Sequence, residues 1–238
     1  MSVILSTHGL TRAFSGHVAV NAVDFTLNEG EIRALIGPNG AGKTTFVSML
    51  IGRIAPSAGR IRFEDQDVTD LPAHLRVSRG MAYTFQITSV FGQLSVEENV
   101  ALAARRRLGR DRVAVRAEVE HALARVGLTD HIGQTAQDLS YGHQRLLEIA
   151  MGLAQRPRLL ILDEPTQGLA ENEIAAFKTL IRSLVPDTTI LLIEHNMSVV
   201  MELADRITVL NFGEILAEGT PVDIHANPLV QNAYLGSG

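Results

Sequence analysis

Cysteine and tryptophan are both missing from this chain of 238 residues. Without cysteine there can be no disulfides and no thiolate metal sites, which fits a reducing compartment. Lysine is scarce too: 19 of the 21 basic residues are arginine, leaving only Lys43 and Lys178. No basic excess exists, because 26 acidic residues bring the formal net charge to −5. That removes the electrostatic argument for a nucleic-acid binder. Also missing is any apolar run near the roughly 20 residues that cross a bilayer. The opening residues Met1-Ser2-Val3-Ile4-Leu5 carry no signal-peptide pattern. The chain is therefore expected to be soluble, with any membrane role exercised through partners.

What is present is an ordinary globular balance, 46% hydrophobic and 20% charged. Short β-branched runs alternate with longer helical patterns, which predicts an α/β fold. Strands are expected at 23–27, 32–36, 59–63 and 81–85, with a helix at 43–51. Between about 95 and 155 the alternation stops, and helices are expected at 96–104, 112–126 and 141–155. It then resumes: strand 159–162, helix 171–185, strand 189–193, helix 198–204, strand 207–211, and a turn at Gly213 into strand 214–218. This predicts one domain over 1–238, with a core from about 1–86 and 156–238 and a helical subdomain at about 87–155.

The segment Gly37-Pro38-Asn39-Gly40-Ala41-Gly42-Lys43-Thr44 matches G-x-x-x-x-G-K-[ST] between an expected strand and an expected helix. Glycines there let backbone N–H groups wrap phosphates, and the helix N-terminus adds partial positive charge. Lys43 would reach the β- and γ-phosphates of ATP, and the Thr44 hydroxyl would ligate Mg²⁺. Thr45 and the N–H groups of Gly40 and Gly42 would complete the cradle. A plain glycine turn capping a helix is the alternative, and the scarcity of lysine makes a chance match rare.

Two further strands end in acids. Leu159-Leu160-Ile161-Leu162 runs into Asp163-Glu164, and Thr189-Ile190-Leu191-Leu192-Ile193 into Glu194-His195. Buried parallel strands read this way, and ligands sit at their carboxyl ends. Asp163 would hold Mg²⁺ through water, and Glu164 would polarise the attacking water. One helix and one strand separate Glu164 from His195, so the imidazole should reach the same sheet edge and contact the γ-phosphate.

Leu139-Ser140-Tyr141-Gly142-His143-Gln144 narrows the family. Ser140 reads as an N-cap, and with the N–H of Gly142 and the helix terminus it makes a second anion site. The stretch resembles the L-S-G-G-Q signature of ABC transporter ATPases. Gln86 resembles their Mg²⁺-contacting glutamine, and Phe14 resembles the aromatic residue that stacks on adenine. The resemblance covers the whole chain in the family's order. It implies a P-loop NTPase (RecA-like) core with an antiparallel β subdomain and an inserted α-helical subdomain.

The segments 193–197 and 210–221, with Ala226-Asn227-Pro228 and Ala233-Tyr234-Leu235-Gly236, look like ATP-binding subunits of branched-chain amino acid importers. Amide and urea importers share much of this pattern. The resemblance implies ATP hydrolysis, with each ATP between the phosphate loop of one subunit and Ser140 and Gly142 of another. It also implies a second ATPase subunit (the same chain or a paralogue), two transmembrane permeases, an extracytoplasmic solute-binding protein and a peripheral place on the cytoplasmic face of the inner membrane. Residues 87–97, with Thr88, Ser89, Val90, Phe91 and Leu94, would form part of the groove receiving the permease. Departures from the pattern are His143 for glutamine, Tyr141 for glycine and Ala170 for Asp or Asn. The arginines at 105–107, 110, 112 and 116 read as a solvated helix face, with contact to anionic lipid headgroups as the alternative. A different class, a non-transport ABC ATPase acting on DNA or ribosomes, is disfavoured by Gln86 and Ser140 being only 54 positions apart and by a single cassette.

Overall fold

The computed structural model describes residues 2–84, 89–185 and 187–235. It begins with two long strands, β1 (Val3–Phe14) and β2 (His17–Asn28), paired antiparallel. With β4 (Ala58–Phe63) and β5 (Gln66–Asp67) they make a four-stranded sheet ordered β2-β1-β4-β5. A second sheet, ordered β10-β9-β3-β8-β7-β6, is parallel except at its β10 edge. Its strands are β3 (Ile32–Ile36), β6 (Met81–Thr84), β7 (Leu159–Asp163), β8 (Thr189–Ile193), β9 (Arg206–Asn211) and β10 (Glu214–Gly219).

β3, β7 and β8 are buried at every position, as near-continuous apolar runs require when both sheet faces are covered. Side chains alternate between the two faces. Leu159, Ile161, Leu191 and Ile193 join one apolar cluster with Phe25, Phe46 and Phe63, against helix α1 (Lys43–Leu50). Leu160, Leu162, Ile190 and Leu192 join another cluster with Val100, Val119, Leu123 and Leu147. Those last four residues belong to the helical insert, made of α3 (Val96–Leu108), α4 (Arg112–Val126) and α5 (Tyr141–Leu153). The insert and one sheet face therefore share a single core.

The helical insert starts from a full capping box, Ser95 with Glu98, and α4 ends on Gly127 in the left-handed region at φ 72°. α2 (Ala73–Ser78) lies between β5 and β6. After β7 come α6 (Glu171–Leu184), α7 (Met197–Leu203), α8 (Pro221–His225) and α9 (Pro228–Leu235). β1, α2, α8 and α9 were not expected from the sequence pattern, and β2 begins well before residue 23. Arg76, 1% exposed, donates to the carbonyls of Met49 and Leu50 at 2.7 Å each and so holds the last turn of α1. Burial lowers its pKa to about 10.

Candidate functional site

β3 delivers the chain to Gly37, whose φ is 151° and whose added Cβ would lie 2.1 Å from the carbonyl oxygen of Leu210 in β9. At Gly42, φ 99°, a Cβ would meet the carbonyl oxygen of Ala19 at 2.4 Å. Only glycine fits either place. Gly42 is also the N-cap of α1, and no side chain caps that end. The first N–H groups of α1 are thus available to an anion. The Lys43 ammonium turns into the loop and donates to the carbonyls of Gly37 at 2.6 Å and Pro38 at 3.0 Å. Burial lowers its pKa, while the carboxylates of Glu164 and Asp163 pull it back up. Ala41 packs inward, whereas Asn39, Gly40 and Thr44 are exposed and Thr45 is half-buried.

The carboxyl ends of β7 and β8 lie side by side, with Asp163 opposite Ile193. The Asp163 carboxylate is buried and accepts a hydrogen bond from the Tyr83 hydroxyl at 2.7 Å. Burial raises its pKa, against the lowering effect of the tyrosine. Glu164 takes a left-handed backbone, φ 46°, and its carboxylate meets Nε2 of His195 at 2.8 Å. Glu194, 3% exposed, holds the two strand ends together. One of its oxygens accepts from the N–H and hydroxyl of Thr166 at 2.9 and 2.6 Å, the other from the N–H groups of His195 and Asn196 at 3.0 and 3.2 Å. Lys43, Asp163, Glu164 and His195 are thereby brought to one edge of the sheet.

Ser140 is the N-cap of α5, its hydroxyl accepting from the N–H of His143 at 3.2 Å. Gly142 is buried beneath Glu173, whose Oε1 would lie 2.3 Å from an added Cβ. The other oxygen of Glu173 accepts from the N–H of Ala170 at 2.8 Å. A carboxylate of this same chain therefore sits over the α5 terminus. Among the described residues, no hydrogen bond or ion pair joins Ser140 or Gly142 to the phosphate loop. His143 stacks at a tilt on His131, ring centroids 4.6 Å apart. A cavity of about 440 Å³ opens beside this terminus between α5 and α6, lined by Leu146, Leu169, Phe177 and Leu180.

Phe14 ends β1 with its ring 41% exposed and the Arg12 guanidinium 4.5 Å above its centre. Gln86, Ile87 and Thr88 lie outside the described residues. In the loop that follows, Phe91 is 55% exposed, and the buried Asn99 pins its backbone with bonds in both directions at 2.8 and 3.1 Å. Tyr83, Arg145, Thr166 and Glu173 were not singled out from the sequence. Tyr83 and Thr166 pair with residues 80 and 28 positions away, Arg145 reaches Asp163 18 positions on and Glu173 overhangs Gly142; Glu194 reads in the sequence only as part of a strand end.

Among the described residues no three His, Asp or Glu side chains converge to hold a metal unaided. The Thr44 hydroxyl and the Asp163 carboxylate are hard oxygen donors, which suits a Mg²⁺ completed by phosphate oxygens and water.

A family model described as ABC transporter matches residues 20–167, and one described as branched-chain amino acid ATP-binding cassette transporter matches 214–238. The chain is 41% identical to the high-affinity branched-chain amino acid transport ATP-binding protein BraF of Pseudomonas aeruginosa, over 98% of each. It is 35% identical to the lipopolysaccharide export system ATP-binding protein LptB of Escherichia coli, over 98% of this chain and 97% of that one. Among solved structures, the ADP conformation of an ATP-binding cassette of an ABC transporter superposes with a TM-score of 0.89 at 26% identity, covering both chains fully.

Proposed function

We propose, starting from a chain that belongs to the ABC transporter family, that it is the ATP-hydrolysing subunit of an importer for branched-chain amino acids or related small solutes. The observation that carries hydrolysis is the Glu164–His195 contact at 2.8 Å, beside the buried Asp163 and the lysine of the phosphate loop. The solute class rests on the likeness to BraF along nearly the whole chain and on the match at 214–238.

In this reading the loop 37–45 wraps the phosphates with backbone N–H groups, and Lys43 exchanges its own loop carbonyls for phosphate oxygens. Phe14 stacks on the adenine. Thr44, Gln86 and, through water, Asp163 would hold Mg²⁺, which would neutralise charge on the phosphates. Glu164 orients and polarises the attacking water, and His195 contacts the γ-phosphate and keeps the Glu164 carboxylate in place. Ser140 and Gly142 close over the nucleotide of a second ATPase subunit, the same chain or a paralogue. ATP thus joins the two subunits and hydrolysis parts them, which biases two permeases between access states by differential affinity. The subunit sits on the cytoplasmic face of the membrane through those permeases, which receive solute from an extracytoplasmic binding protein. Phe91 and its neighbours supply the permease contact.

Glu164→Gln tests the site: ATP turnover should fall about 100-fold or more, and Mg-ATP should convert the protein to a dimer by light scattering. A protein that stays monomeric at saturating Mg-ATP would sink the sandwich. The likeness to LptB favours a second reading, a cassette serving an exporter. Uptake of labelled leucine by vesicles holding this chain and its co-purifying permeases separates the two.

A further inference from the structure

We infer that Arg145 is a positioning residue for Glu164, tying the placement of the water-orienting carboxylate to the position of the signature helix α5. This rests on the reading of Glu164 given above. Arg145 lies on α5 and is 1% exposed. Its Nη2 donates to the carbonyls of Asp163 at 2.8 Å and Glu164 at 2.9 Å, and its Nε to the carbonyl of Pro165 at 3.4 Å. Nη1 pairs with the buried Glu148 at 2.8 Å, which balances the charge. One side chain thus gathers three successive carbonyls just where the chain leaves β7. A guanidinium can do this because its donors lie in a rigid planar fork, and a lysine ammonium cannot.

The turn it holds is a strained one. Glu164 sits at φ 46°, a conformation strained for an L-residue that persists only when its surroundings fix it. Its N–H is held by the carbonyl of Ile193 at 2.9 Å, and Arg145 holds its carbonyl. With both ends of the residue fixed, the carboxylate is presented to His195 at 2.8 Å. Arg145 also follows Gly142 by three residues, so the two share a face of α5. A shift of the α5 terminus on meeting phosphate would carry the guanidinium, and with it the carbonyls of 163–165. Glu164 would then be set for hydrolysis only when the signature is engaged.

The test is a double-mutant cycle on the purified full-length chain, with each rate normalised to the folded fraction. Arg145→Gln should lower kcat about 100-fold with the KM for ATP within about twofold, and Arg145→Lys should lower it about 10-fold. In a Glu164→Gln background the same Arg145→Gln change should cost less than about threefold, because the group it positions is already gone. If burial of a lone Glu148 unfolds the single variant, Arg145→Gln with Glu148→Gln removes both charges and serves in its place. Additive losses, a KM that rises as kcat falls, or a kcat within about threefold of wild type would overturn the inference. A wild-type chain without ATPase activity, or a Glu164→Gln variant as active as wild type, would instead overturn the reading of the site itself.

Discussion

The N-termini of α1 and α5 are both built to face an anion, yet they are kept in opposite conditions. At α1 the cap is a glycine at φ 99°, without a side-chain acceptor, and the Lys43 ammonium holds two loop carbonyls. At α5 the Ser140 hydroxyl already accepts a backbone N–H, and the Glu173 carboxylate overhangs Gly142. The first terminus can take phosphate once Lys43 gives up its two loop carbonyls. The second carries an internal anion, Glu173, that in the proposed sandwich would have to withdraw before a partner's phosphate could approach. In the proposed sandwich, this difference would let an isolated subunit bind nucleotide without closing on the wrong surface.

Substitutions can break that comparison, and Lys43→Ala should do so most severely. It removes the only lysine at the open terminus, and ATPase activity should fall about 100-fold or more, read by phosphate release. Gly142→Ala should come next. The added methyl meets the end of a flexible side chain, not backbone, so the fold should survive. ATP-driven dimerisation should drop about 10-fold while binding of labelled ATP to the monomer stays unchanged.

Asp163→Asn sharpens the contrast in stability. Burial lifts the Asp163 pKa above its ordinary 3.8, so the native state takes up a proton at higher pH than the unfolded chain does. The ionised group therefore costs stability, increasingly as pH rises through that window. The asparagine variant should lose hydrolysis yet melt about 2–4 °C higher at pH 7, and the gain should shrink as pH falls toward 4. Glu173→Gln should have the smallest effect. Losing a carboxylate from the first turn of a helix costs about 0.3–1 kcal/mol, so Tm should drop slightly. The ATP concentration for half-maximal dimer should fall about twofold. If it rises instead, Glu173 assists closure and the contrast between the two termini is wrong.

The open terminus was legible because everything that makes it is contiguous: a buried strand, a glycine loop and a helix within residues 32–50. The strand ends at Asp163 and His195 were legible for the same reason. What escaped is what depends on distance along the chain. Glu194 reaches Thr166, 28 residues earlier, and Tyr83 reaches Asp163, 80 residues later. No local pattern marks either partner. β1 escaped because its pairing is interrupted by register shifts between Thr7 and Leu10, between Leu10 and Arg12 and again between Arg12 and Ala13. Such bulges break the two-residue alternation by which a strand is recognised. The four carbonyls held by Arg76 escaped likewise, since an arginine in the sequence looks like surface.

The scarcity of lysine, joined to the way Lys43 is folded into its own loop, has a practical consequence. The chain carries only two side-chain amines: one buried against Gly37 and Pro38, the other, Lys178, at the surface in an ion pair with Glu202. An amine-directed acylating reagent would modify these two side chains besides the α-amine of the chain, and their peptides separate by mass, with Lys178 as internal standard and Lys43 as reporter. The ratio of the two, followed by mass spectrometry, would record how far the phosphate loop is open in each nucleotide state, with no engineered label.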